Sequence, residues 1–386
     1  MAGPTTDWLS ADEAMARLRV RPQTLYAYVS RGRVRAEPDP AEPRRSRYRA
    51  SDIASLSEKK SRGRKAGDVA RAAIAWGEPV LASAITTVRD GRLYYRGQDA
   101  VRLAETATLE EVARLLRGGL GLPPDAHPDV PPGPTAEARA FAVFAARAAA
   151  DPPAQGRPPE ALAAEAAALL DLMAAAVAGR EGVGLREDDE GPIHERLGRG
   201  WLAPRGGWDA IRCALVLLAD HELNASTFAA RVAASTGASL AACVLAGLAV
   251  LSGPRHGGMA ARVEAFAAAA RRGNWRKGLR AGEPPPGFGH PLYPDGDPRA
   301  VALLAAIDVP PPLVALRAAV EAETGERANV DFALTALRQS LGLPPEAPLA
   351  LFAVARTAGW LAHAIEQIES GQLIRPRARY VGSEPA

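Results

Sequence analysis

Residues 135–177 read TAEARAFAVFAARAAADPPAQGRPPEALAAEAAALLDLMAAAV. Phe141, Phe144, Leu169, Leu170 and Met173 recur on faces within this alanine-heavy run, which predicts close-packed helices rather than low-complexity coil. The same apolar spacing of three and four continues outward. From Val69 onward Ala-rich and Leu-rich segments recur, punctuated by the Pro/Gly clusters Gly121–Pro134, Asp151–Pro159 and Gly282–Pro286. One strand signal interrupts the helices: in Ala82–Tyr95 the Asp90-Gly91 pair turns one β-prone run back onto another, predicting a single small hairpin. No tandem repeat is evident. The fold class expected is therefore mainly α.

Around that stretch lie 386 residues, 47% apolar and 24% charged, enough for two or three compact units and unlike a disordered chain or a membrane bundle. The two cysteines, Cys213 and Cys243, stand thirty positions apart with no CxxC or Cys/His cluster. That spacing supports neither a disulfide framework nor a zinc site, and implies a reducing compartment. MAGPTTDWLS at the start lacks a basic region followed by an apolar run, and no run of about eighteen uncharged apolar residues follows. The expectation is a cytoplasmic protein with no membrane partner and no metal.

Charge is uneven. Residues 1–65 carry fifteen Lys/Arg and eight Asp/Glu, a local net of +7, leaving 32 basic against 36 acidic residues beyond them. A basic end without a membrane anchor favours a polyanion such as nucleic acid. Ser10-Ala-Asp-Glu13 reads as a capping box opening a helix over Ala11 to Leu18. Pro22 opens a second helix, Gln23 to Ser30, with Leu25 and Val29 inward and Gly32 as its stop. Arg33-Val-Arg35 and Arg44-Arg-Ser-Arg-Tyr48, joined by the turn-rich Glu37–Pro43, predict a two-stranded wing, and Ser51-Asp-Ile-Ala begins another helix. The segment resembles the winged helix-turn-helix of the MerR and excisionase groups. That resemblance implies duplex DNA contacts for Gln23, Thr24, Tyr26, Arg44, Arg45 and Arg47, although basic helical pairs also serve as docking or dimerisation modules. The module spans residues 1–57. The charged run Glu58–Lys65 has no apolar period and predicts a mobile linker over 58–68.

Among the six histidines, His127, His194, His221, His256, His290 and His363, three stand in unusual settings. His256 lies in Gly253-Pro-Arg-His-Gly-Gly258, after a long helix of small residues, where the two glycines permit close approach of a backbone or ligand. His290 ends Pro284-Pro-Pro-Gly-Phe-Gly-His290, too rich in Gly and Pro to be helical; a histidine on such a loop more often faces a ligand than a core. His221 lies in Asp220-His-Glu-Leu-Asn-Ala-Ser-Thr227, where a helical reading puts His221 and Asn224 on one face. Each alone is equally well a hydrogen-bonded structural histidine.

The blocks that follow in order are Asp297-Pro-Arg299, Asn329-Val-Asp-Phe332, Leu351-Phe-Ala-Val-Ala-Arg356-Thr-Ala-Gly-Trp360 and Arg375-Pro-Arg377. Together with the histidine motifs they resemble the citrate synthase family, from about Ile85 through Leu93–Gly97 to Tyr380-Val-Gly382. The resemblance implies a nearly all-helical homodimer. A large domain (69–225 and 345–386) and a small domain (226–344) would close over oxaloacetate and acetyl-CoA, the latter a co-substrate, with no cofactor. It further implies that His256 hydrogen-bonds the thioester oxygen, Asp331 removes the methyl proton and His290 protonates the oxaloacetate carbonyl. Arg299, Arg356 and Arg375 would pair with the two carboxylates, with His221 completing the pocket and Arg375 reaching across from the partner subunit. A thioester α-proton is a very weak acid, so the base needs a donor at the developing enolate, worth roughly 2.7–4 kcal/mol.

The sequence departs from the family pattern at three places. Met259-Ala260 follows His256-Gly-Gly where Ala-Asn is usual, Pro291-Leu-Tyr-Pro294 removes cations that usually follow the second histidine, and Leu218 stands where many members carry a histidine. Arg255 and Arg327 are the substitutes available for CoA phosphates. Three readings stay open: citrate synthase; 2-methylcitrate synthase using propionyl-CoA, since one methylene shifts pocket preference by only about 1–3 kcal/mol; and a non-catalytic acyl-CoA or oxo-acid sensor that binds DNA.

Overall fold

In a computed structural model of the chain, the described residues are 8–18, 20, 22–30, 34–40, 42, 45–53, 81–120, 130, 132–178, 191–272, 275–278, 284–378 and 380–383. The chain divides into two compact units, Met1–Ala82 and Ser83–Ala386.

In the first unit, strand β1 (Trp8–Leu9) leads into helices α1 (Ala11–Leu18) and α2 (Pro22–Ser30), followed by strands β2 (Ala36–Pro38) and β3 (Ser46–Arg49). The capping box forms as its sequence predicts: the Ser10 backbone N–H donates to Glu13 Oε2 at 2.9 Å, and the Glu13 N–H donates to Ser10 Oγ at 3.3 Å. Such a cap is worth about 1 kcal/mol. Where the sequence predicts a two-stranded wing with its first strand at Arg33–Arg35, there is a three-stranded antiparallel sheet in order β1-β3-β2, its β2 lying at Ala36–Pro38 inside the stretch read as a turn, with Leu9 and Ala36 both opposite Tyr48. Two residues are too few for β1 to show alternation in the sequence. Leu9, Ala14, Leu18, Leu25, Val34, Tyr48 and Ile53 form a small core, and Ala50–Ile53 is helical. The expected linker, 58–68, lies outside the described residues.

The second unit opens with the hairpin, β4 (Thr86–Arg89) and β5 (Arg92–Tyr95), turned by Asp90 and Gly91 at φ 51° and 69°. Positive φ at both turn positions matches the right-handed twist of the flanking strands. A third strand that the sequence does not announce, β6 (Gln98–Asp99), pairs with β5. Asp99 then caps α3 (Ala100–Thr106), and a Thr108/Glu111 capping box opens α4 (Leu109–Leu116), which buries Leu109, Val112, Ala113 and Leu116 at helical spacing. The helices α5 (Ala136–Ala150), α6 (Pro159–Ala178), α7 (Ile193–Gly200), α8 (Trp208–Leu218), α9 (Ala225–Ser235), α10 (Leu240–Leu251) and α11 (Met259–Arg271) follow. After them come α12 (Pro298–Ala305), α13 (Pro311–Thr324), α14 (Val330–Leu341) and α15 (Ala347–Ser370).

Helix α15 is the axis of this unit. It packs against α4, α6, α8, α9, α10 and α14, and it is buried on nearly every side. Both α6 and α15 are long and apolar enough to cross a membrane, a feature the sequence reading passed over. Their apolar windows are 78% and 94% buried within the unit, so the fold itself accounts for their composition. Close approach depends on small residues: a Cβ at Gly247 of α10 would come within 2.7 Å of the Trp360 ring on α15.

Candidate active site

Helix α10 ends at Leu251, and the chain turns back at once. The Gly257 N–H donates to Leu251 O at 2.9 Å and the His256 N–H to Gly253 O at 2.9 Å. A Cβ on Gly257 would meet Leu251 O at 2.9 Å, and one on Gly258 would meet Gly253 O at the same distance, so both glycines serve close backbone approach. The turn sets the His256 ring 5.7 Å from that of Phe352 and its Nε2 2.9 Å from Ser226 Oγ. Ser226 also accepts from Trp360 Nε1 at 3.2 Å. Asn224 is the N-cap of α9, its Oδ1 accepting from the Ser226 and Thr227 amides. Residues 220–224 are not helical, so the expectation that His221 and Asn224 share a helical face is wrong. They belong to a tight bend in which Glu222 adopts φ 51° and its carboxylate accepts the Val88 N–H of the hairpin at 2.7 Å.

The second histidine and the acid are joined through their loops. The Gly289 N–H donates to Arg327 O at 2.8 Å, the Asn329 N–H to Gly287 O at 2.9 Å, and Asn329 Nδ2 to Gly289 O at 3.0 Å. Gly287 and Gly289 take φ 84° and 73°, the left-handed region that side chains disfavour. This zipper fixes His290 beside the start of α14, where Asn329 caps the helix through the Asp331 N–H at 3.0 Å and Asp331 occupies the first turn. Tyr293, absent from the sequence-derived site, lies among the histidines. Its hydroxyl is 2.9 Å from His221 Nε2, and its ring lies 4.9 Å from that of His290 and 5.6 Å from that of His221. His221 and His290 meet edge to face at 5.3 Å.

The arginines differ in their freedom. Arg299 is buried and locked to Asp297 by two parallel bonds of 2.9 Å, Nε to Oδ1 and Nη2 to Oδ2, and Asp297 also accepts the Val330 N–H. Arg356 is buried too, but its Nε donates to Leu218 O at 3.0 Å and its Nη2 has no hydrogen-bond partner among the described residues. A buried guanidinium with an unused N–H calls for an anion.

Electrostatics follow from this packing. Burial pushes the Asp331 carboxyl up to about 6, against the lowering pull of Arg299. Burial, then the Arg356 cation, pushes His256 down to about 4; burial and Arg299 do the same to His290. His221, buried against Arg299, Arg356 and both other histidines, falls well below its ordinary value. At neutral pH the site therefore presents three neutral imidazoles, two guanidinium cations and a carboxylate close to its own pKa, the poise a general base needs.

The other sequence-derived residues are mostly exposed. Arg255 and Arg327 are exposed, and Arg327 pairs with Glu321 at 3.3 Å. Arg375 is exposed in the extended C-terminal segment, with no hydrogen bond or ion pair among the described residues. In the N-terminal unit Thr24 is exposed and Tyr26 is 61% exposed. The Gln23 side chain and Arg44 lie outside the described residues. Arg45 pairs with Glu42 at 2.9 Å, and Arg47 donates to Glu37 at 2.8 Å while lying 5.2 Å over the Trp8 ring. Among the described residues no group of three or more His, Cys, Asp or Glu could hold a metal ion.

Comparison with known proteins gives this geometry a context. The family model described as citrate synthase, C-terminal domain, matches residues 121–377. The citrate synthase of Haloferax volcanii is 39% identical over 187 residues, 44% of this chain and 49% of that one. The 2-methylcitrate synthase 2 of Corynebacterium glutamicum is 37% identical over 188 residues, 44% of this chain and 48% of that one. The chain thus spans about half the length of the curated relatives it matches. A solved ternary complex of carboxymethyl coenzyme A and oxaloacetate with the citrate synthase of Thermoplasma acidophilum superposes with a TM-score of 0.66 at 26% identity, covering 82% of this chain and 97% of that one. With a family model matched over more than half its length and a site built from the motifs in order, the chain belongs to the citrate synthase family.

Proposed function

We propose that the second unit condenses oxaloacetate with acetyl-CoA and water to give citrate and CoA. The observation that carries this is the Asp331 carboxyl raised to about 6 at the start of α14, tied through Asn329 to the loop of a neutral His290, together with a neutral His256 and a buried Arg356 that has an unused N–H. The Asp331 carboxylate takes the thioester α-proton while His256 donates to the thioester oxygen, and the resulting enol carbon attacks the keto carbon of oxaloacetate. His290 donates a proton to that carbonyl oxygen, and water then cleaves the thioester and releases CoA. For His256 Nδ1 to donate, its Nε2 must accept the Ser226 hydroxyl hydrogen, for which Asn224 Oδ1 at 2.7 Å competes. Arg299, Arg356 and His221 hold the dicarboxylate, joined by Arg375 from the partner subunit of a homodimer. Arg255 and Arg327 are the CoA phosphate contacts. The large domain is 69–225 with 345–386, the small domain is 226–344, and the enzyme is cytoplasmic.

The test is a thiol-release assay with oxaloacetate and either acetyl-CoA or propionyl-CoA. CoA release with acetyl-CoA at a kcat/KM above that with propionyl-CoA is expected. The reverse preference would favour the 2-methylcitrate reaction named for the Corynebacterium relative. Binding of both substrates without CoA release would favour the sensor reading.

A second reading concerns residues 1–65. Their net charge of +7 and the exposed Tyr26 and Thr24 on α2 support a winged helix-turn-helix that grips duplex DNA. Absence of duplex binding at low salt would leave a docking or dimerisation module.

A further inference from the structure

Behind the site runs a buried chain of charged groups that the condensation does not use. Asp220 is fully buried between His221 and the α8 terminus. Its Oδ2 lies 3.1 Å from His363 Nε2, and His363 Nδ1 lies 2.7 Å from Arg231 Nη1. Arg231, 2% exposed, also donates to Glu366 Oε2 at 2.6 and 2.8 Å and to Gln367. An arginine only donates, so His363 Nδ1 must accept and its Nε2–H must point to Asp220. The imidazole is thereby fixed in one tautomer. Burial alone would raise the Asp220 carboxyl, but the His363 N–H and the Arg356 cation hold it below its ordinary value.

The bend 218–221 connects this chain to the substrate groups. Leu218 O accepts from Arg356 Nε, Ala219 O accepts from the Gly359 N–H of α15 at 3.0 Å, Asp220 accepts from His363, and His221 Nε2 shares a hydrogen bond with the Tyr293 hydroxyl. A Cβ on Gly359 would overlap both Asp220 Oδ1 and Ala219 O, so the bend lies directly on α15. Arg356, Gly359 and His363 occupy one face of that helix at i, i+3 and i+7. Arg299 carries its own carboxylate in Asp297, whereas Arg356 has none bonded to it, and Asp220 is the anion that opposes it.

We propose that Asp220, held by His363 and Arg231, is a positioning residue that sets Arg356 and His221 for an anionic dicarboxylate oxo-acid. This rests on the substrate reading above. Arg356 faces Asp220, Arg299, Tyr95, Tyr293, His221 and His256; burial pushes its pKa down to about 10 and Asp220 alone among the carboxylates there opposes that fall. Removing Asp220 takes away the anion opposite Arg356 and the acceptor of the His363 N–H.

The experiment uses the full chain, with oxaloacetate binding followed by calorimetry at pH 7.5 and KM measured for both substrates. In His363→Gln the amide can accept from Arg231 and donate to Asp220, and affinity within about threefold of the parent is expected. His363→Leu breaks the chain and weakens oxaloacetate binding about tenfold while the acyl-CoA KM moves less than threefold. Asp220→Ala removes the acceptor of the His363 N–H and also weakens oxaloacetate binding about tenfold, again with the acyl-CoA KM within threefold. Equal loss for both substrates, or His363→Gln as damaged as His363→Leu, would overturn the positioning role alone. A parent protein that binds no oxaloacetate would overturn the substrate reading and this role with it.

Discussion

Asp331 is expected to weaken the fold that holds it. Its carboxyl rises from an ordinary 3.8 to about 6 because burial disfavours the anion. Two pKa units correspond to about 3 kcal/mol, and the partial solvent access of the side chain makes about 2–3 kcal/mol the sensible range. For an acid whose folded pKa is raised, the penalty is absent below 3.8, grows between 3.8 and 6, and is complete above 6. Asp331→Asn removes the charge and leaves the Asn329 cap on α14 in place. The variant should therefore lose condensation yet melt higher than the parent at pH 7.5. At roughly 2.1 cal/mol/K per residue over about 300 residues, the gain is about 3–5 °C. The assay is paired calorimetric melts at pH 7.5, 5.5 and 4, where the difference should shrink towards zero as the parent carboxyl protonates. A gain that is independent of pH, or a variant less stable at pH 7.5, would refute the assignment of a base strained by desolvation.

Much of this site was legible because its chemistry sits in local motifs. Gly257 and Gly258 announced a close approach, and the structure shows backbone there; Pro284–Gly289 announced a loop, and two positive-φ glycines shape it. Capping boxes at Ser10 and Thr108 were visible, or could have been, because their partners lie three residues away. What stayed hidden depends on distant partners. Asp297 was quoted only as part of a motif, yet it decides that Arg299 arrives already paired while Arg356 does not. Tyr293 stood in a stretch read only for the cations it lacks, and Ser226 and Trp360 meet across 134 positions. The chain Asp220–His363–Arg231 spans three elements, and no periodicity within one element can reveal it. Strands β1 and β6 were missed because two residues carry no alternation, and their pairing comes from the neighbouring strand.

Four further outcomes are expected. His256→Ala should lower turnover by about 10²–10³ while oxaloacetate affinity by calorimetry stays within a few fold, because the proposed role of the group is at the thioester. Mixing Arg375→Ala and Asp331→Asn subunits should restore partial activity, since each heterodimer holds one intact site; verified heterodimers without activity would assign Arg375 to its own subunit. Deleting residues 1–65 should leave kcat and both KM values nearly unchanged, as every proposed catalytic residue lies beyond them. The last outcome tests the duplex-binding reading of residues 1–65. Arg45 and Arg47 are engaged by Glu42 and Glu37, so a phosphate must compete with a carboxylate for each guanidinium. Glu37→Gln with Glu42→Gln should therefore tighten duplex binding at low salt, whereas replacing Arg45 and Arg47 should reduce the salt slope by about two. Duplex affinity unmoved by either pair of changes, measured by fluorescence anisotropy across a salt series, would mean that the wing arginines serve the module's own sheet and not a phosphate backbone.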